Sequence, residues 1–204
     1  MFWSKKTKKT RNSQSRQHKT DYEKLEKKEL FAGLVAVAYN PATLAFSLTG
    51  DALNNQVTVS QAPGNGPITV TGNAGTLVNG APFAVFPGPF LGNVVTNMGL
   101  GNDAVTFSNV VFGNLTTNEV GAGSDRVTLN NVKAKGNVTI NTLDGNDNVR
   151  LTGLYAGHIN VVTGIGADIA KVSGRVGVVM NPLGVLNPVY TFGSSNAAGN
   201  GKNV

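Results

Sequence analysis

Four aspartates recur at almost constant spacing along this 204-residue chain: Asp103, Asp125, Asp147 and Asp168. Each stands two positions after a glycine (Gly101, Gly123, Gly145, Gly166) and two before a small or branched apolar residue (Val105, Val127, Val149, Ala170). A carboxylate in that place has two chemistries open to it. It can accept a backbone N–H and close its own turn as an Asx motif, or, stacked on its copies, it can share a cation with them. Like charges one interstrand spacing apart, about 4.8 Å, repel by roughly 1 kcal/mol per neighbour in water and by more in a low dielectric, so a bound cation would relieve a real cost. Acid–base catalysis has less to draw on. Only seven acids follow position 30, four of them in this column. His18 and His158 offer no nucleophile and base pair, and Arg150, Lys171 and Arg175 fall near the column without long loops to wall a cleft. The chain has no cysteine, which excludes disulfides, thiolate metal sites and a cysteine nucleophile.

Something must place these aspartates at equal intervals, and the surrounding sequence is itself a repeat. Segments beginning at Gly92, Gly113, Gly136 and Gly157 superpose, and their starts are spaced nearly as evenly as the aspartates. Each holds a Gly-Asn-like strand start followed, in its second half, by the Gly-x-Asp-x-Val piece. Beyond the Val column lie Phe107, Leu129, Leu151 and Val172, and Thr106, Thr128, Arg150 and Lys171 alternate with the apolar positions. This is the period-2 pattern of a half-buried strand. A unit of two or three short strands cannot bury its apolar face alone and must stack on copies of itself. Units of about 22 residues with tight Gly, Asn and Asp turns predict one coil each of a right-handed parallel β-helix. Vertical stacking then predicts asparagine ladders at Asn93, Asn114 and Asn137, continued by His158, and at Asn97, Asn118 and Asn141.

Composition agrees with an all-β fold. Glycine supplies 26 residues and charged side chains only 14%, which suits short strands and tight turns rather than helices. The net charge of +6 is confined to positions 1–30, which hold ten Lys or Arg against four acids, whereas positions 31–204 hold seven of each sign. Residues 4–20 lack any aliphatic or aromatic side chain, so residues 1–30 are expected to form a disordered basic arm or targeting segment. No interleaved aromatics or recognition fold accompany the arm, and it implies no specific nucleic-acid partner. The segment from Leu30 to Ala38 alternates at Val35, Val37 and Tyr39, resuming at Leu44, Phe46 and Leu48 after Asn40-Pro41. It reads as a first β-meander, with the hydrophobic region of an export signal ending near Ala36-Val37-Ala38 as the alternative. No apolar run reaches the length of a membrane span. Residues 50–91 are expected to form imperfect coils with an edge loop at Ala81 to Phe90, and residues 181–204 a cap and frayed tail.

The repeat resembles a family of repetitive secreted proteins of planctomycete bacteria, which open with a basic segment and a Leu-Glu-Pro-Arg-type motif before Gly-Asn-Val-Thr-Ile-Asn repeats. Leu25-Glu26-Lys27-Lys28-Glu29-Leu30-Phe31 stands where that motif would be. The resemblance implies export to the envelope or the outside, and no particular activity. The turns GLGNDAVTF, GAGSDRVTL and LDGNDNVRL are also similar to the calcium-binding nonapeptides of RTX proteins, although they occur once per coil and without the doubled glycine. That second similarity implies calcium held by Asp103, Asp125, Asp147 and Asp168. The expected function is therefore a non-catalytic, extracellular or cell-surface repeat protein with a structural or adhesive role, contacting surface glycans or other envelope proteins. A calcium-binding module is the alternative, and a polysaccharide-acting enzyme ranks below it.

Overall fold

The computed structural model describes residues 33–88, 91–119 and 121–173, together with two further strands, 190–194 and 202–203. The basic arm of residues 1–30 and most of the expected C-terminal cap lie outside the described residues. Those described contain strands, turns and no helix.

Strand β1 (Gly33–Asn40) turns back into β2 (Ala45–Thr49), and β3 (Gln56–Gln61) follows on a second side. An insertion then supplies β4 (Ile68–Gly72), β5 (Thr76–Val78) and β6 (Phe83–Phe86). The regular coils come next. One holds β7 (Val94–Asn97), β8 (Ala104–Ser108) and β9 (Val111–Phe112), and its successor holds β10 (Leu115–Asn118), β11 (Ala122–Gly123), β12 (Arg126–Asn130) and β13 (Lys133–Ala134). Then come β14 (Asn137–Asn141), β15 (Asp144–Gly145) and β16 (Asn148–Thr152), followed by β17 (His158–Gly164) and β18 (Ile169–Ser173). Finally β19 (Tyr190–Ser194) and β20 (Lys202–Asn203) extend the two main sheets by one more strand each.

The strands stack as the repeat predicts. In the first sheet β2, β7, β10, β14, β17 and β19 are parallel neighbours, and in the second β3, β8, β12, β16, β18 and β20 are. A narrow third side pairs β9 with β13, and a bridge from Lys133 to Tyr155 carries it one coil further. The whole is a parallel β-solenoid whose successive turns lie about 22 residues apart. Pairing is residue for residue: Val105, Val127, Val149 and Ala170 meet in one column, and Phe107, Leu129, Leu151 and Val172 in another. Because successive strand side chains point to opposite faces, this register puts every second side chain inside. Val94, Leu115, Val138 and Ile159 from the first sheet meet those columns across an apolar interior, closed on the third side by Val110, Phe112, Val132, Ala134, Leu154 and Ala156. Phe107 and Phe112 touch edge to face with ring centroids 5.9 Å apart, the geometry that aromatic quadrupoles favour.

The asparagine ladders form at the outer corners. Asn114 Nδ2 donates to Asn93 Oδ1 at 2.9 Å and Asn137 N to Asn114 Oδ1 at 2.7 Å, and Asn141, Asn118 and Asn97 are linked amide to amide. His158 continues the first of these columns in backbone register with Asn137. A further ladder joins Asn131 to Asn109 at 2.7 Å. Both have positive φ, 52° and 55°, and Gly153 takes the same corner of the next coil at 60°. Asn and Gly are the residues that tolerate that left-handed turn.

The N-terminal end corrects one expectation. Residues 50–61 are a true coil, with β3 in register with β8, but the following segment is not. β4 runs antiparallel to β3, β6 antiparallel to β4, and β1 antiparallel to β2 with β5 beside it. Both sheets therefore end in antiparallel strands that cover the first coil, and Phe86 packs against Phe46 and Tyr39 over its mouth. The segment expected as an edge loop contains β6, the edge strand of the second sheet, with Pro82 and Pro87 just outside it, where a missing N–H breaks no ladder bond. Val35 and Val37 of β1 are buried, so residues 33–38 form part of a core strand, as the meander reading has it.

The glycines before each Asp are required by stacking. A Cβ on Gly145 would overlap the carbonyl oxygen of Gly123 one coil away, and its φ is +155°. Gly157 has no such φ, and there the nearest atom to an added Cβ is at 3.3 Å. Replacing Gly145 by Ala is expected to destabilise the fold by about 2 kcal/mol, lowering the thermal midpoint by several degrees, whereas Gly157→Ala should shift it far less. Equal midpoints in circular-dichroism melts would contradict the close stacking of this corner.

Candidate functional site

The aspartate column lies on the inner side of the corner where each coil passes from the first sheet to the second. The Gly-x-Asp turn leaves the aspartate side chain pointing inward, just before the strand whose second residue is the buried Val or Ala. All four carboxylates are buried. Their first oxygens form a continuous chain of bonds between coils. Asp125 Oδ1 accepts from Asp103 N at 2.8 Å, Asp147 Oδ1 from Asp125 N at 2.9 Å, and Asp168 Oδ1 from Asp147 N at 3.0 Å. Asp103 Oδ1 accepts from Asn55 N at 2.7 Å. Each carboxylate thus clasps the amide of its counterpart one coil nearer the N-terminus, where the Asx reading had expected a bond within its own turn.

Asn55 ends the chain. It occupies the aspartate's place in the first coil, two positions before Val57 as Asp103 is before Val105, and its amide nitrogen donates to Leu53 O and Met98 O. A neutral side chain suffices there because the described residues place no further parallel coil beyond it.

A fifth acid, absent from the sequence-based column, faces this one. Glu119 follows β10 in the register position of Met98 and Thr142 and is 1% exposed. The signal for it was the alternation Leu115, Thr117, Glu119, which puts all three on one face. Neither Oε1 nor Oε2 of Glu119 has a hydrogen-bond partner, nor do Oδ2 of Asp103, Asp147 and Asp168 or the hydroxyls of Thr96, Thr117 and Thr142. These atoms are carboxyl oxygens, which only accept when ionised, and threonine hydroxyls, which can donate as well as accept. Burial pushes the carboxyls of Asp103 and Asp147 up to about 6, partly offset by the clasped amides of Asn55 and Asp125, and it raises Asp125 as well. Glu119 is pushed up to about 9, first by burial and then by the charges of Asp125 and Asp103. At neutral pH Glu119 therefore keeps its proton, and its O–H is a donor amid carboxylate oxygens.

Among the described residues no three Asp, Glu or His side chains group so that they could hold a metal ion. The column's first oxygens accept from backbone amides, and the second oxygens of Asp103, Asp147 and Asp168 are buried without a hydrogen-bond partner. His158, Arg150 and Lys171 stand apart from the column, on strands β17, β16 and β18, where the two cations point outward. Arg175 lies outside the described residues. No helix among the described residues is long and apolar enough to cross a membrane. Compared with known proteins, the chain matches no family model, no curated protein and no solved structure.

The raised carboxyls set the sign of the pH dependence. Asp103 and Asp147 hold their protons up to about pH 6 when folded and to 3.8 when unfolded, and Glu119 to about 9 against 4.5. Where the folded state binds more protons, stability falls as pH rises. The contribution is fully present below the unfolded values and is lost through the window from about 4 to 6 for the aspartates and up to about 9 for Glu119. Thermal midpoints are expected to fall between pH 5 and pH 9, and Glu119→Gln, which supplies amide donors without a charge, should flatten the part above pH 6. A wild-type midpoint that rises over the alkaline half would refute this account of the corner.

Proposed function

We propose that this protein is a non-catalytic repeat scaffold, exported or displayed at a cell surface, whose role is structural or adhesive. The observation that carries the reading is the unbroken clasp from Asn55 through Asp103, Asp125 and Asp147 to Asp168. Carboxylates that could have served as general acids or bases are enclosed and bonded to backbone amides, so they hold coil to coil instead of meeting a substrate. The outward positions of the same strands carry neutral hydrogen-bonding groups such as Ser47, Thr106, Thr116, Thr128 and Thr139, a surface suited to weak contact with hydroxyl-rich polymers.

Incubation of the purified chain with a panel of plant, algal and microbial polysaccharides should release no new reducing ends or unsaturated products, while antibody labelling of intact producing cells should detect the protein outside the cytoplasm. Turnover of any of these polymers, or labelling only after the cells are permeabilised, would overturn the reading.

A further inference from the structure

The body is neutral by sequence, but its charges are sorted between inside and outside. Between positions 33 and 173 there are seven acids, of which Asp103, Glu119, Asp125, Asp147 and Asp168 are buried. The five cations of the same span, Arg126, Lys133, Lys135, Arg150 and Lys171, are all exposed. Against them the surface sets Asp51, between β2 and β3, and Asp144, in β15 between β14 and β16. Five cations against seven acids by count thus become five against two where solvent and partners meet the molecule.

The cations fall on two adjoining sides of the solenoid, the second sheet and the third side. Arg150 and Lys171 are direct lateral neighbours on the outer face of the second sheet, one interstrand spacing apart, about 4.8 Å. Arg150 Nε donates to Asn148 Oδ1 at 3.1 Å, which orients the guanidinium. Arg126 opens the adjoining strand β12, and the chain from β12 rounds the corner at Asn131 to reach Lys133 and Lys135. These two lysines, with Asn131, Val111, Ala134 and Tyr155, line an open groove of about 610 Å³ on the third side. Lys135 is an extra residue. Phe112 is followed at once by Gly113 and Ala156 by Gly157, but Lys135 intervenes between Ala134 and Gly136, whose N–H returns to Gly113 O. The insertion adds a second ammonium to the groove and leaves the stack undisturbed.

We propose that these two adjoining basic faces, the Arg150–Lys171 pair of the second sheet and the Lys133, Lys135 and Tyr155 groove of the third side, form a docking surface for an acidic polysaccharide bearing uronate or sulfate groups. The proposal rests on the adhesive reading and gives it a ligand class. Charge complementarity selects a polyanion, and three features favour a sugar polymer over nucleic acid. The cations are spaced far more sparsely than duplex DNA, with its one charge per about 1.7 Å of axis. Among the described residues the groove offers a single aromatic ring, Tyr155, where single-stranded nucleic acid requires a series of stacking platforms. Thr128, Asn130, Asn131 and Thr152, on the same strands or the corner beside them, supply hydroxyls and amides that match sugar hydroxyls.

The test uses the full chain, so that the basic residues of the N-terminal arm contribute equally to every sample. Binding of polygalacturonate is measured by calorimetry at low and moderate salt for the wild type, for Lys133→Gln with Lys135→Gln, and for those two combined with Arg150→Gln and Lys171→Gln. Affinity is expected to fall roughly tenfold in the fourfold variant, with a shallower salt dependence and an unchanged thermal midpoint, and by an intermediate factor in the double variant, which decides the matter should the fourfold variant unfold. Equal affinity in all three proteins would overturn the proposal, as would tighter binding of duplex DNA abolished by the same substitutions. Binding accompanied by shortening of the polymer would overturn the non-catalytic reading while leaving this surface in place. Absence of binding would do the reverse.

Discussion

The bond from an aspartate carboxylate to the amide of the aspartate one coil away is the interaction on which the stack depends. A parallel solenoid holds its core only if equivalent residues lie directly over one another, because a slip of one residue turns every inward side chain outward. Coil length is not constant here. Gly123 comes four positions after Glu119 where Gly101 comes three after Met98, and Lys135 is an addition on the third side. Each Gly-x-Asp turn absorbs such differences and returns the chain to register before the next strand of the second sheet begins. A charge-assisted hydrogen bond contributes about 1.5–3 kcal/mol, but desolvating the carboxylate opposes it, so the clasp gives positional definition more than net stability.

That opposition shapes the rest of the molecule. Burial raises Asp103, Glu119, Asp125 and Asp147 toward their neutral forms, and enclosing these acids with Asp168 removes from the surface the negative charge that would have balanced Arg126, Lys133, Lys135, Arg150 and Lys171. One structural device therefore sets both the electrostatics of the interior and the sign of the exterior. Total charge counted along the sequence conceals this, since the count treats a buried, proton-bearing Glu119 and an exposed Asp144 alike.

What was legible in the sequence follows from what repeats. The Asp column, the Val and Phe/Leu columns and both asparagine ladders were readable because each occupies a nearly fixed place in the repeating unit, and stacking converts equal spacing into contact. Glu119 and Asn55 were missed for the complementary reason: each departs from the residue type of its column, and only the backbone register shows that Asn55 holds an aspartate's place. The direction of the aspartate bond was also beyond reach, since an Asx bond within a turn and one between turns require the same residue at the same position. The segment from Ile68 to Phe86 alternates like the coils, yet alternation does not specify whether a strand pairs parallel or antiparallel, and so its role as an end cover had to come from the pairing itself.

The insertion that forms this cover has a further meaning for how the fold tolerates change. Phe46 and Val94 are lateral neighbours although the whole of β3 to β6 lies between them in sequence, whereas Val94 and Leu115 are separated by a single ordinary coil. Loop-closure entropy grows only with the logarithm of length, so a detour of roughly twice the length adds about 0.7 kcal/mol. The ladder of the second sheet passes from β3 to β8 without a shift. A junction between coils is therefore a place where a whole hairpin can be spliced in while the stack on either side keeps its alignment. The third-side corners, where Asn131 and Gly153 already make left-handed turns, are open to the same kind of growth, and a solenoid of this type can acquire new surface by lengthening its corners while its core stays as it is.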